Sequence, residues 1–358
     1  QWPISISLGD VDGDGDLDIV VPDFGGNNVS VLRNKGKGTF AAPVSYATGF
    51  SPQSVSLGDV DGDGDLDMVV ANYGSNNVSV LINNGNGTFA APVNYSTGIG
   101  TNSLALGDVD GDGDLDMVVL KFNGGVSVLH NNGNGTFVAA ADYTAGAGPV
   151  FVALGDLDGD GDLDIVIVNS NGKNVSVRRN NGDGTFATAF NFATGVGPRS
   201  VTLGDVDGDG DLDMVVANYG SQNLSVMINN GNGTFAAPVN YAARSGPRGV
   251  TLGDVDGDGD LDMAVANYDS NNATVLRNFG KGDYAAIAKY AVGATPMSIT
   301  FGDVDHDGDQ DMVVANADSN SVSVLLNNRN GTFAAAFNYT AGARPISVSL
   351  GDLDGDGH

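Results

Sequence analysis

The sequence predicts an all-β fold, a seven-bladed β-propeller of four-stranded antiparallel blades, and three observations carry that expectation. The stretch Gly9-Asp10-Val11-Asp12-Gly13-Asp14-Gly15-Asp16-Leu17-Asp18 returns at Gly58, Gly107, Gly155, Gly204, Gly253 and Gly302, 48 or 49 residues apart, with a shortened copy at Gly351. Short apolar or alternating runs follow each return, separated by turn residues, and helix signals are missing throughout. The first and last units look like the middle ones, whereas an open stack of repeats needs polar caps at its ends. Four short strands in each of seven repeats fit blades stacked about an axis.

The second repeat shows each element in order. Ser54-Val55-Ser56-Leu57 alternates polar and apolar residues as an inner strand does. The acidic loop follows, and Met68-Val69-Val70-Ala71 is an unbroken apolar run that suits a strand buried on both faces. Asn72 to Asn77 is turn chemistry, Val78 to Ile82 a third strand, Asn83 to Gly87 a second tight turn, and Thr88 to Tyr95 an outer strand. One propeller is expected over 1–344, with blades near 1–49, 50–98, 99–146, 147–195, 196–244, 245–293 and 294–344. Residues 345–358 are a surplus copy of the inner strand and a truncated loop. The N-terminal copy, whose loop is complete, is expected to fill the first blade, leaving the tail mobile or paired with an exposed edge.

The acidic loop reads as a calcium site. Carboxylates at loop positions one, three, five and nine turn inward together only if the chain curls tightly, which Gly13 and Gly15 permit, and position seven then offers its carbonyl. Such carboxylates repel by roughly 4 kcal/mol per pair at about 4 Å and an effective dielectric near 20. A flexible, oxygen-seeking cation relieves that repulsion, and calcium suits it better than magnesium, which resists losing its waters. About seven ions are expected, one per complete loop.

Composition narrows the partners. The net charge is −29, there is no Glu, and 38 of the 44 Asp lie in the loop motif. Seven divalent ions would still leave −15, so nucleic acid and anionic membranes are disfavoured. The absence of Cys excludes disulfides and thiolate metal sites, and no run of 18 apolar residues occurs to insert in a membrane. Loops built from Asp alone, without the bidentate Glu of an EF-hand, suit millimolar calcium and therefore an extracellular or cell-surface setting.

The loop followed by an apolar strand, as in Gly58 to Val70, resembles the FG-GAP or VCBS repeats that build the propeller of integrin alpha chains. The resemblance covers nearly the whole chain. It implies that the loop joins the first two strands of each blade and binds calcium at one rim, with ligands meeting the opposite face. Carried across, the ligand sets are Asp10, Asp12, Asp14, Asp16 and Asp18; Asp59, Asp61, Asp63, Asp65 and Asp67; Asp108, Asp110, Asp112, Asp114 and Asp116; and Asp156, Asp158, Asp160, Asp162 and Asp164. The remaining three are Asp205, Asp207, Asp209, Asp211 and Asp213; Asp254, Asp256, Asp258, Asp260 and Asp262; and Asp303, Asp305, Asp307, Asp309 and Asp311. The seventh loop departs at His306, in place of Gly, and at Gln310, in place of Leu, which is expected to loosen that site without loss of a ligand. The family holds adhesion modules, lectins and propellers attached to polysaccharide-degrading enzymes, so the fold does not choose among them.

Catalysis requires a constellation that breaks the repeat, and the sequence offers none: His130, His306 and His358 have no partner nearby in sequence, and Asp269 and Asp318 recur at one repeat position. The chain reads as a non-enzyme, with His130 a solvated strand-end residue. Binding is the better reading. The repeats diverge most at the residue entering the inner strand, at Ile4, Gln53, Asn102, Val150, Arg199, Arg248, Met297 and Ile346. The neighbouring turn carries Phe24, Tyr73, Phe122, Tyr219 and Tyr268. Aromatic plates beside amides and hydroxyls suit sugar rings, so Tyr73, Tyr219, Tyr268, Arg199 and Arg248 are the candidate ligand residues for a glycan or a cell-surface protein. The same aromatics could instead cover seams between blades. Two other readings compete: a scaffold or amplified repeat without a ligand, and the non-catalytic part of a polysaccharide-acting enzyme. A monomer is expected, with a strand-exchanged dimer as the alternative.

Overall fold

A computed structural model describes residues 5–354; Ile4 and His358 lie outside the described residues. The architecture is the all-β seven-bladed propeller class, and the described residues form seven four-stranded antiparallel sheets, each with its strands in sequence order. In the second blade the strands are Pro52–Gly58, Asp67–Asn72, Asn77–Leu81 and Val93–Ser96. The outer strand is shorter than its sequence suggests, because Phe89 leaves it to form a bridge with Asn83 across the preceding turn. In the first blade the inner strand is Ser7–Gly9, paired with Asp18 to Val20.

The chain divides into two compact units: residues 1–145 with 180–187 and 351–358, and residues 146–179 with 188–350. In the first unit, alternation along the second strand of blade 2 explains its unbroken apolar run. Met68 and Val70 pack with Val20, Val29 and Val31 of blade 1, while Val69 and Ala71 pack with Leu104, Met117 and Val119 of blade 3. Both faces of this strand are therefore core, and each such valine, leucine or methionine contributes about 1.5–3 kcal/mol. The second unit repeats the scheme, with one cluster joining Val166 and Val168 to Met214 and Val216, and another joining Ala264 and Ala266 to Met312 and Val314.

Two polar and aromatic devices hold successive blades in each unit. A turn asparagine donates to the second loop residue of the preceding blade, Asn83 to the Val11 carbonyl at 2.7 Å and Asn229 to the Leu157 carbonyl at 2.8 Å. An outer-strand aromatic meets the next blade's bridging ring edge to face, as in Tyr46 with Phe89 at 5.2 Å and Tyr241 with Tyr284 at 5.6 Å.

The C-terminal copy forms no strand over 345–354. In the first unit, the Leu353 carbonyl accepts from Asn34 Nδ2 at 2.6 Å and from the Gly38 amide at 3.0 Å, which is how Val11 serves Asn83. In the second unit, Leu350 lies against Gly302 as Leu106 lies against Gly58.

Candidate functional site

In every blade the acidic loop and the turn between third and fourth strands share one end, and the turn between second and third strands lies at the other. The loop end is built by the backbone. Gly13 and Gly15 take positive φ of 74° and 93°, which aims their amides at the position-one carboxylate: Gly13 donates to Asp10 Oδ1 at 2.8 Å and Gly15 to Asp10 Oδ2 at 2.9 Å. In the seventh loop His306 adopts φ 63° and donates to Asp303 at 2.7 Å, so the turn survives the missing glycine.

The position-nine aspartate is fully buried and clamps the loop to the blade. In blade 2, Asp67 Oδ2 accepts from the Val60 amide at 3.0 Å and Oδ1 from the Asn83 amide at 2.7 Å. Burial raises its pKa to about 6, as it does for Asp213 and Asp262. At position three, one oxygen of Asp12, Asp110, Asp158, Asp207 and Asp256 is buried without a hydrogen-bond partner, and burial with the neighbouring position-five carboxylate raises these groups too. Position five is exposed in loop one, where Asp14 Oδ1 accepts the Asp16 amide at 3.0 Å. The position-seven side chain turns away, towards the glycine of the neighbouring turn: a Cβ on Gly85 would stand 2.8 Å from Asp65 Oδ2.

Oxygens of Asp10, Asp12 and Asp18 lie within 4.8 Å of one another, and the same holds for Asp59, Asp61 and Asp67, for Asp108, Asp110 and Asp112, and for Asp156, Asp158 and Asp160. Orphaned buried oxygens held among like charges fit a hard cation, and the repeated triads could bind metal ions. His130, read from sequence as solvated, is instead half-buried, with Nδ1 3.2 Å from Asp110 Oδ2 and 3.6 Å from Asp116 Oδ2. The signal available in sequence was its register with Arg33, Arg179 and Arg277, each of which faces its own position-three carboxylate.

At the other end, the second unit brings four of the five candidate ligand residues together. Arg199 lies over the Tyr219 ring at 5.5 Å and Arg248 over the Tyr268 ring at 5.4 Å, while the two rings meet at 6.1 Å. Tyr219 Oη donates to Asp269 Oδ1 at 3.1 Å, which raises the tyrosine pKa. Burial and the Arg199 charge lower that of Arg248. Asp269, assigned a structural role from its repeat position, thus belongs to this ladder, whereas Asp318 accepts from Thr295 and pairs with Arg344. Tyr73 stands apart in the first unit, edge to face with Phe122 at 6.5 Å and close to Gly100, while the exposed Phe50 lies against the next residue, Gly74.

Blade 3 holds a second break in the repeat. Where blades 2, 4, 5, 6 and 7 bury an asparagine that donates to a hydroxyl, as Asn72 does to Ser79 at 2.8 Å, blade 3 buries Lys121. Its ammonium pairs with Asp142, which also accepts from Ser127 at 2.6 Å, and both contacts hold the Asp142 pKa down against the opposing effect of burial, which is the larger single influence. Lys121 and Asp142 line a cleft of ≈ 230 Å³ with Tyr143 and Thr144.

The FG-GAP-like repeat model matches residues 10–70, 59–119, 108–167, 156–216, 205–265, 254–314 and 303–358, and the chain belongs to that family. No curated protein matches the sequence. Among solved structures the chain is similar to an Agrocybe aegerita lectin that recognises non-reducing terminal N-acetylglucosamine (23% identity, 94% of each chain, TM-score 0.62). It is also similar to the periplasmic gluconolactonase PpgL of Pseudomonas aeruginosa (16% identity, 91% of this chain and 97% of that one, TM-score 0.63). A binding protein and an enzyme share this fold, so the likeness speaks for the fold alone.

Proposed function

We propose that the chain is a calcium-stabilised extracellular binding module that takes an anionic, hydroxyl-rich glycan at the Arg199–Tyr219–Arg248–Tyr268 ladder, and that it is not an enzyme. The carrying observation is the ladder itself. Two guanidinium groups lying over adjacent tyrosines, in a chain of net charge −29, form a local cluster of positive charge. Placed over the rings, they present planar donors to a carboxylate or sulfate, while the tyrosines offer apolar ring surface to a sugar. Calcium is the ion that all-oxygen loops of this ligand count suit best, and about seven would offset part of the negative charge of the loop ends. The lectin likeness is compatible with a glycan partner.

A glycan array run with calcium and with chelator tests the reading. Acidic glycans are expected to bind in calcium, and Arg199→Ala/Arg248→Ala is expected to weaken them at least tenfold with the melting temperature nearly unchanged. Undiminished binding by the double variant would place the site elsewhere.

A further inference from the structure

The position-three carboxylate has a basic side chain's nitrogen beside it in four blades. In blades 1, 4 and 6 it is a guanidinium: Arg33 Nη1 stands 3.7 Å from Asp12 Oδ2, Arg179 Nη1 3.4 Å from Asp158 Oδ2, and Arg277 pairs with Asp256. In blade 3 the same strand-end position is His130. Its Nδ1 is buried without a hydrogen-bond partner and faces oxygens of Asp110 and Asp116, all three ligand atoms lying within 4.8 Å of one another. The ring abuts the turn at Gly184. Gly184, at φ +71°, comes so close that a Cβ there would collide with His130 Cε1 and stand 2.8 Å from Asp110 Cβ.

We propose that this place in blade 3 takes a borderline divalent metal of the zinc class, with His130 Nδ1 and the carboxylates of Asp110 and Asp116 as its protein ligands. The three sister blades fill the spot with a fixed positive charge, and blade 3 presents there a nitrogen able to bind a metal. An imidazole with two carboxylates is a poor set for calcium, which takes oxygen, and a good one for zinc, cobalt or nickel. The third loop then differs from the other six in ion preference. The inference rests on the metal-loop reading only in that Asp110 and Asp116 are shared with that loop.

Cobalt and zinc titrations of the whole protein in millimolar calcium test it, with calcium stoichiometry measured in parallel. One equivalent of cobalt with visible absorbance is expected. His130→Arg, which copies blades 1, 4 and 6, and His130→Ile, which copies blades 2 and 5, are both expected to fold. Each should abolish the cobalt spectrum and weaken zinc by more than the ~10–100-fold that even outer-shell partners cost. Absence of cobalt binding by the parent, or equal binding by both variants, overturns the proposal. Calcium binding without cobalt binding refutes this site alone, whereas cobalt binding in a protein that takes up no calcium refutes the calcium reading and leaves this one standing.

Discussion

Gln310 occupies the place where other loops carry the leucine that packs on the preceding blade's inner glycine, as Leu66 packs on Gly9 and Leu212 on Gly155. Its Oε1 presses on Gly253 and is buried without a hydrogen-bond partner. A buried unsatisfied oxygen costs about 1–3 kcal/mol. Gln310→Leu is accordingly expected to stabilise the protein by about that amount, measured by denaturant unfolding at fixed calcium. His306 invites the opposite kind of change, because a non-glycine residue in the left-handed region costs about 1 kcal/mol and Gly sits at this position in the other six complete loops. His306→Gly should recover about 1 kcal/mol; unchanged stability would mean that the turn carries no strain. Both departures were visible in the sequence as breaks in the repeat, but their consequence was not. Sequence spacing treats Gln310 as a bystander to the ligands, and only packing shows that it faces a neighbouring blade.

At the scale of the loop, the buried position-nine carboxylate sets the response to pH. Asp67, Asp213 and Asp262 have folded pKa values raised to about 6 by burial, against an ordinary value near 4. The folded chain then holds more protons than the unfolded one between about pH 4 and 6, and stability falls as pH rises through that window. In chelator, the melting temperature is expected to drop by several degrees from pH 5 to pH 7.5. With saturating calcium the trend should reverse, because the ion binds the ionised folded loop and not the unfolded chain. A pH profile insensitive to calcium would contradict the metal-loop reading. The spacing of the aspartates was legible in sequence, including which five residues form each loop. Their division of labour was not: position nine also clamps the loop to the Asn83 amide, and position seven turns its side chain to the next turn, since both depend on strands that the loop itself does not contain. Blade 3 makes the same point. Lys121 and Asp142 replace two asparagines together, and the exchange becomes an ion pair only once the strands are aligned. Asp142→Asn alone is expected to cost about 1–3 kcal/mol, because the Lys121 ammonium loses its partner while the exposed side of the pair remains screened by solvent, and Lys121→Asn/Asp142→Asn should recover most of the loss by restoring the amide network.

For the whole molecule, the informative segment is the C-terminal copy. The repeat count alone left it surplus, either mobile or pairing with an exposed edge. Its contacts give it a different part. Among the described residues, Asn34 of blade 1 finds its inter-blade acceptor in Leu353, as Asn83 finds Val11, and Gly302 of blade 7 is covered by Leu350, as Gly58 is by Leu106. Removing residues 345–358 would leave the Asn34 amide without that acceptor and expose the apolar surface that Leu350 covers. Asn34 Nδ2 keeps its bond to the Leu17 carbonyl at 3.1 Å, so the lost hydrogen bond costs about 1 kcal/mol, and Leu350, itself partly exposed, contributes less than the roughly 1.5–3 kcal/mol of a fully buried leucine. Deletion of Pro345 to His358 is therefore expected to lower stability by a few kcal/mol, with the largest loss of amide protection at blades 1 and 7, read by hydrogen exchange in calcium. Asn34→Ala in the full chain separates the two contributions, since it removes the donor and leaves Leu350 in place; it should cost about 1 kcal/mol and loosen blade 1 alone. An unchanged melting temperature after deletion would show that the tail's contacts contribute nothing, and that blades 1 and 7 are held by their own strands.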